Sequence, residues 1–184
     1  MTQTYPRQAQ SPAPGLNTPG VRYRPALPVE ETAVMALRRC CGWTSEGVPQ
    51  QFRAMRDGRR QIWIAECEGY LVATITVEWH TEDSQLADGS TAAHISNLVV
   101  HPTYRHRGIA RGLIDTVEHA ATRRGCRLMT IGVDRGNAYA RRIYEQLGYI
   151  YFKDYHAPWG LVHILTRRLF SARPSATLGQ GLTV

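Results

Sequence analysis

A chain of 184 residues with 43% hydrophobic composition is long enough to bury one core and short for two domains, and its formal net charge of +7 makes it basic. No apolar run approaches the ~18 residues of a membrane span, and the first residues lack the basic-then-apolar pattern of a signal peptide, so a cytoplasmic protein with no membrane partner is expected. Cys40, Cys41, Cys67 and Cys126 show neither paired metal spacing nor a disulfide framework, which predicts reduced thiols and no metal.

Residues 1–20 hold four prolines and, after Met1, one strongly apolar aliphatic residue, Leu16. Such a stretch cannot offset its ordering entropy, so it is expected to be a disordered tail, as is 171–184, leaving 21–170 as the domain. Val21 to Arg24 alternates like a strand. Residues 28–41 predict a helix with Pro28 near its start and Glu30 and Glu31 in the first turn, stopped by Gly42. A second helix spans 48–56 and ends at Asp57-Gly58. Strands follow at 61–67 and 70–79, joined by a Glu68-Gly69 hairpin turn. Residues 80–91 read as a polar loop. Ile95 to Val100 is apolar and rich in β-branched residues, closed by Pro102, and predicts a buried strand. After Gly108 the period changes: Ile109, Leu113, Ile114, Val117, Ala120 and Ala121 share one helical face. A further strand at 128–133 precedes a helix that begins near Asn137. Two last strands, 149–155 and 161–169, join through Ala157-Pro158-Trp159-Gly160.

The junction at 101–111 carries chemistry. Arg105, Arg107 and Arg111 flank Gly108, which lets backbone approach a ligand, just where the first helical N–H groups stay unpaired. Oriented amides beside guanidiniums at a helix N-terminus form an anion site suited to a pyrophosphate. The Walker and Gly-x-Gly-x-x-Gly patterns are both absent. The sequence Arg105-His106-Arg107-Gly108-Ile109-Ala110 resembles motif A of the GNAT acetyltransferase superfamily, Arg/Gln-x-x-Gly-x-Gly/Ala after a central strand. Asn137, Ala140, Tyr144, Gly148 and Tyr149 match its motif B, Asn-x-x-Ala-x-x-x-Tyr-x-x-x-Gly-aromatic. The resemblance covers roughly 21–168 and implies an α/β fold of the α+β type. Its central sheet would be mixed and mostly antiparallel, of about six to seven strands with about four flanking helices and a splayed central strand pair.

The resemblance also implies the donor, acetyl-CoA, and the parts that hold it. Leu98, Val99 and Val100 would lie nearest the thioester. Arg105, His106, Arg107, Gly108, Ile109, Ala110 and Arg111 would hold the pyrophosphate, and Asn137 would cap its helix and touch the cofactor. Gly132, in the adjacent strand, fits close backbone approach. Tyr144 is the expected acid for the leaving thiolate. His94 is the expected base, since histidine has a suitable pKa, with a structural histidine as the alternative reading. Ser96 and Asn97 ordering a water chain, or Glu78, are further options for that step.

Residues 101–168 hold twelve Lys/Arg against five Asp/Glu, and 21–100 hold eight against ten. The basic half is the half with the cofactor motifs, so a polyanionic coenzyme explains it. Nucleic acid as partner would call for a basic stripe with interleaved aromatics, and none is visible. Glu78, Glu82, Asp83 and Asp88 read as a solvated loop or, second, as an attraction for a cationic amine. The expected partner is therefore a primary amine acceptor, with a small or aminoglycoside-like amine favoured over a protein N-terminus or lysine. A homodimer is compatible with this reading. A non-catalytic acyl-CoA-binding module and a basic nucleic-acid-interacting protein are the rival classes. Trp43, Phe52, Trp79, Tyr155, His156 and Trp159 are expected to supply aromatic surface to the acceptor.

Overall fold

The computed structural model of the protein describes residues 20–169. Apart from Gly20, the tails expected at 1–20 and 171–184 lie outside them. The described residues form a seven-stranded sheet in the order β1-β2-β3-β4-β5-β7-β6. The strands are β1 (Val21–Pro25), β2 (Arg60–Cys67), β3 (Tyr70–Glu78), β4 (Ala92–Val100), β5 (Leu128–Asp134), β6 (Ile150–Ala157) and β7 (Gly160–Arg168). Four α-helices accompany them: α1 (Glu31–Cys40), α2 (Val48–Arg56), α3 (Ile109–Arg123) and α4 (Ala138–Gln146). Neighbouring strands are antiparallel except β4 and β5. That pair is parallel because α3 returns the chain across the sheet, the crossover parallel pairing requires. The mixed, mostly antiparallel sheet with four helices agrees with the expected fold class.

Local chemistry sets most boundaries. Glu68 (φ 51°) and Gly69 (φ 84°) are both left-handed, and Cys67 pairs with Tyr70, so β2 and β3 are joined by a two-residue turn whose twist matches the strands. Gly42 (φ 76°) ends the first helix, which begins as a 3-10 turn at Pro28–Glu30 and stops at Cys40, one residue short of the expected end. The largest difference is β4, which starts at Ala92 rather than Ile95. Ala92, Ala93 and His94 are weak strand formers taken singly; parallel pairing to Leu128, Met129 and Thr130 makes them extended.

Register sorts the side chains onto two faces, since residues directly opposite across a ladder share one. Arg60, Ile62 and Ile64 pair with Glu78, Thr76 and Thr74; Thr76 and Glu78 pair with Ser96 and His94; His94 pairs with Thr130. That face is covered at one end by α1 and α2, where Val34, Val48 and Phe52 pack on Ile62 and Ile64. At the other end Leu86 of the 80–91 loop packs with Ala157, Val162 and Ile164. The strip between is polar. The opposite face is apolar, with Ile75, Val77, Ile95, Met129 and Ile131 buried against Ile109, Leu113, Ile114 and Val117 of α3. Burial contributes about 1.5–3 kcal/mol for each such Ile, Leu or Val. Among the described residues no helix is long and apolar enough to cross a membrane.

Candidate functional site

Beyond β4 the chain makes one 3-10 turn, Pro102–Tyr104, then passes through two left-handed residues, His106 (φ 61°) and Gly108 (φ 77°). The first helical hydrogen bond of α3 runs from Gly112 N to Gly108 O at 2.9 Å. The N–H groups of Ile109, Ala110 and Arg111 therefore have no carbonyl one turn back. Left-handed residues interleaved in such a loop curl its amides around a concavity, and the helix dipole adds positive potential there. Arg105, Arg107 and Arg111 are exposed around it. Arg105 Nε donates to Val100 O at 3.2 Å, the Arg107 guanidinium lies 5.2 Å from the Tyr104 ring centre, and Arg111 approaches Asp115 at 4.0 Å. His106 Nδ1 lies 3.2 Å from Tyr139 Oη, which joins this loop to the first turn of α4. Asn137 caps α4 by accepting from Ala140 N at 3.1 Å.

The central strands part beside this loop. Pairing of β4 with β5 stops at Ile95 and Ile131, although β4 continues to Val100 and β5 to Asp134. A bulge lies at the same place: between Ser96 and Val99, two β4 residues face Ile75 alone, and Asn97 takes φ 55°. An extra residue bends a strand and raises its twist, so β4 leaves β5 here. The β5-facing backbone of Ser96 to Val100 then has no ladder partner, and an extended ligand arm could complete that edge. On the α3 side of the sheet, α4 places Tyr144 in the core at 7% exposure, its ring 6.3 Å from that of Tyr149. Burial pushes its phenol up to about 12, and its hydroxyl has no hydrogen-bond partner among the described residues. Gly132 fits close packing, though of a side chain: a Cβ there would stand 3.2 Å from Val162 Cγ1.

On the polar strip, His94 is buried and its Nδ1 lies 2.8 Å from Thr130 Oγ1. Thr130 spends its single proton on Leu86 O at 2.9 Å. The Thr130 oxygen must therefore accept from Nδ1–H, which assigns the lone pair of neutral His94 to Nε2. Burial lowers the His94 pKa, opposed by the carboxylates of Glu78 and Asp83. Glu78 takes Ser96 Oγ at 2.8 Å on one oxygen and Arg60 at 3.2 Å on the other, and Asn97 Nδ2 donates to Ser96 Oγ at 2.9 Å. Glu78 thus braces the bulge.

The expected cofactor residues Leu98 to Val100, Arg105 to Arg111 and Asn137 fall along the splayed end of β4 and the N-termini of α3 and α4. His94 lies on the other face of the sheet from Tyr144. Thr130 and Arg60, which orient His94 and Glu78, carry no local signal and went unread in the sequence. Two expected acceptor aromatics are corrected. Phe52 is fully buried under α2, and Trp79 is buried on the α3 face with the Arg124 guanidinium 4.7 Å from its ring centre, so neither reaches the polar strip. Two of the three acids of the 80–91 loop are engaged as well, and the third, Glu82, is exposed. Asp83 pairs with Lys153, and Asp88 accepts from the N–H groups of Ser90, Thr91 and Ala92.

A sequence profile described as the acetyltransferase (GNAT) family matches residues 30–149. The chain belongs to that family. Among curated relatives, aminoglycoside N(6')-acetyltransferase type 1 of Salmonella typhimurium is 31% identical over 62 residues, a segment that spans 34% of this chain and only 43% of the relative. Solved structures share the fold over nearly their whole length. An aminoglycoside 6'-N-acetyltransferase complexed with coenzyme A superposes with a TM-score of 0.67 at 16% identity, covering 83% of this chain and 99% of that one. The ribosomal-protein-S18-alanine N-acetyltransferase of Escherichia coli gives 0.65 at 18% identity, covering 83% and 96%. NAA60 of Arabidopsis thaliana, in complex with acetyl-CoA, gives 0.65 at 21%, covering 81% and 98%.

Proposed function

We propose that the protein is a cytoplasmic, acetyl-CoA-dependent N-acetyltransferase that passes the acetyl group directly to a primary amine in a ternary complex. The observation that carries this is the break in β4–β5 pairing at Ile95, together with Tyr144 in the core on the α3 side, its hydroxyl without a hydrogen-bond partner among the described residues. Acetyl-CoA supplies the activated acetyl group as a thioester. The residues present fit it: unpaired amides at 109–111 and the arginines around Gly108 suit its pyrophosphate, and the open edge of β4 from Ser96 to Val100 suits its extended arm.

In the transfer the amine nitrogen bonds the acetyl carbon and the carbon–sulfur bond breaks. An ammonium acceptor must shed two protons, of which one ends on the thiol and one in solvent. His94 Nε2 holds the lone pair that takes a proton from the ammonium. Tyr144 Oη faces the opposite task at the sulfur. With a pKa of about 12, handing its proton to a thiolate of pKa ~8.5 would cost about 5 kcal/mol. Its contribution is therefore a hydrogen bond that strengthens as charge gathers on sulfur, rather than full proton loss.

The segment likeness to the Salmonella enzyme favours an aminoglycoside-type acceptor over a protein N-terminus. Pairing of Asp83 with Lys153 weakens the charge argument for that preference, while Asp88 stays a carboxylate held by N–H donors and Glu82 stays exposed. The test is a thermal shift with acetyl-CoA, with coenzyme A and an adenine nucleotide as controls, followed by thiol release against amines. A shift and amine-dependent release are expected; no shift with acetyl-CoA would return the loop around Gly108 to a basic surface turn.

A further inference from the structure

The 80–91 loop is built around Asp83. Asp83 Oδ1 accepts from Gln85 N at 3.1 Å, and the Asp83 main-chain oxygen accepts from Thr81 Oγ1 at 2.7 Å and Leu86 N at 2.8 Å, which closes a tight turn over residues 83–86. Two sets of contacts fasten that turn to the far edge of the sheet. Lys153 of β6 donates to Asp83 Oδ2 at 2.5 Å and to Gln85 Oε1 at 2.7 Å, and the Leu86 side chain packs with Ala157, Val162 and Ile164. Lys153 is the one lysine in the chain, so no other lysine ammonium can take its place there. So fastened, the turn presents the Leu86 carbonyl to Thr130 Oγ1, 2.9 Å away.

The other end of this run of contacts is His94. Thr130 is fully buried, and with its proton committed to Leu86 O its oxygen takes His94 Nδ1–H at 2.8 Å. His94 Nε2 makes no hydrogen bond among the described residues and is not sealed from solvent. The ring also borders the opening between β4 and β5: a Cβ on Gly132, the first β5 residue past the last pair with β4, would stand 3.9 Å from His94 Cε1. The carboxylates whose charge reaches the ring are Glu78 of β3 and Asp83 itself. Without an acceptor at Nδ1 the ring would carry its proton on Nε2, because a buried N–H with no partner forfeits its hydration. The lone pair would then face residue 130, and the accessible nitrogen could accept no proton.

We propose that Lys153, Leu86 and Thr130 are positioning residues for acetyl transfer: the loop, latched to β6 by Lys153, supplies the carbonyl that fixes Thr130, and Thr130 keeps the lone pair of His94 on the nitrogen open to the acceptor. This rests on the acetyl-transfer reading above and is independent of which primary amine is the acceptor. None of the three residues touches the reacting atoms. The loop serves the base, and loosening it at β6 costs turnover at His94, three strands away in the sheet.

The test joins the ring-nitrogen NMR resonances of His94, assigned by their loss in His94→Ala and read in mildly alkaline buffer, to turnover measured by thiol release with the amine that the acceptor panel selects. In the unaltered protein Nδ1 should carry the proton and Nε2 the lone pair. Thr130→Val, nearly isosteric, should reverse that pattern and lower kcat roughly tenfold or more, with KM for acetyl-CoA and its thermal shift unchanged, and Thr130→Ser should restore both. Lys153→Met should lower kcat by up to about fivefold in the same manner, the limit for a partly exposed ion pair. In a His94→Ala background neither change should lower kcat further, whereas a merely structural role predicts the same loss with and without His94. A proton on Nε2 in the unaltered protein, full kcat in Thr130→Val, or equal losses in the two backgrounds would overturn the proposal, and full kcat in Lys153→Met would remove the latch from it. Should Thr130→Val fail to fold, the resonances of the unaltered protein and the Lys153→Met comparison decide. Absence of amine-dependent thiol release in the unaltered protein would instead sink the acetyl-transfer reading, a separate outcome because the proton on His94 is located without acetyl-CoA or acceptor.

Discussion

The two sides of the splayed strand are made of different materials. On the side of the α3 N-terminus, the candidate anion site is contiguous in sequence and consists largely of backbone: a bulge at Asn97, left-handed residues at 106 and 108, and three unpaired amides. On the opposite face the candidate site is assembled from side chains far apart in the chain, His94 with Thr130 and Leu86, Glu78 with Arg60 and Ser96. A backbone site tolerates change in side chains and fails when φ is altered. A side-chain network does the reverse.

The largest test of that contrast is His94→Ala. Loss of a general base costs about 10²–10⁴-fold in turnover, with acetyl-CoA affinity intact because the residue lies across the sheet from the anion loop. A pH profile sharpens it. Burial holds His94 below the ordinary histidine value of 6.5, so the acidic limb of kcat/KM should fall below that value in the unaltered protein and vanish in the variant. The sign for stability follows. An unfolded chain takes up the proton near 6.5 and the folded one resists, so the contribution is present above 6.5 and is lost as pH falls through the lower folded value. A limb that persists in His94→Ala reassigns the base.

Tyr144→Phe should lower kcat by about 10²-fold, the usual loss for one donor at a developing charge, with the acetyl-CoA dissociation constant nearly unchanged. An unaltered rate would mean that water serves the sulfur. Gly108→Val addresses the backbone side. A β-branched residue in the left-handed region costs about 1–2 kcal/mol and blocks close approach, so acetyl-CoA should bind roughly tenfold or more weaker. Equal affinity, read by calorimetry, would remove Gly108 from the site.

Gly112→Ala probes packing alone. In a helix interior that change ordinarily gains about 1 kcal/mol, but here a Cβ would land within 2.9 Å of Tyr23 Cε2 and closer still to the hydroxyl. The clash wins, with a net loss of about 1–3 kcal/mol and several degrees in Tm. A rise in Tm would show that Tyr23 can swing aside. Smallest of all is Asp83→Asn, which removes the ion pair with Lys153 at the rim of the 80–91 loop while leaving the Lys153 bond to Gln85 Oε1 at 2.7 Å. Its partly exposed pair contributes about 1 kcal/mol or less to stability.

Much of the fold was legible because its determinants are local. The 3.6-residue period placed α3 and its buried face, Glu68-Gly69 marked the hairpin, and Gly108 with its arginines marked the candidate anion loop. The acceptor face was not legible. Nothing near Phe52 or Trp79 shows that one lies under α2 and the other on the α3 face, because an aromatic residue reads alike on either side of a sheet until register assigns it. Arg38 in a helix sequence looks like any exposed arginine, and only the packing of α1 and α2 on β2 reveals it as buried.

By itself, then, the sequence determined the period and punctuation of each element, the family pattern along β4, α3, β5 and α4, and the cationic loop, all set by neighbours within a few residues. Tertiary structure alone decided where β4 parts from β5, which nitrogen of His94 keeps its lone pair, and which charges are left without partners. Those depend on strand register and on contacts between segments tens of residues apart, and no local pattern encodes them.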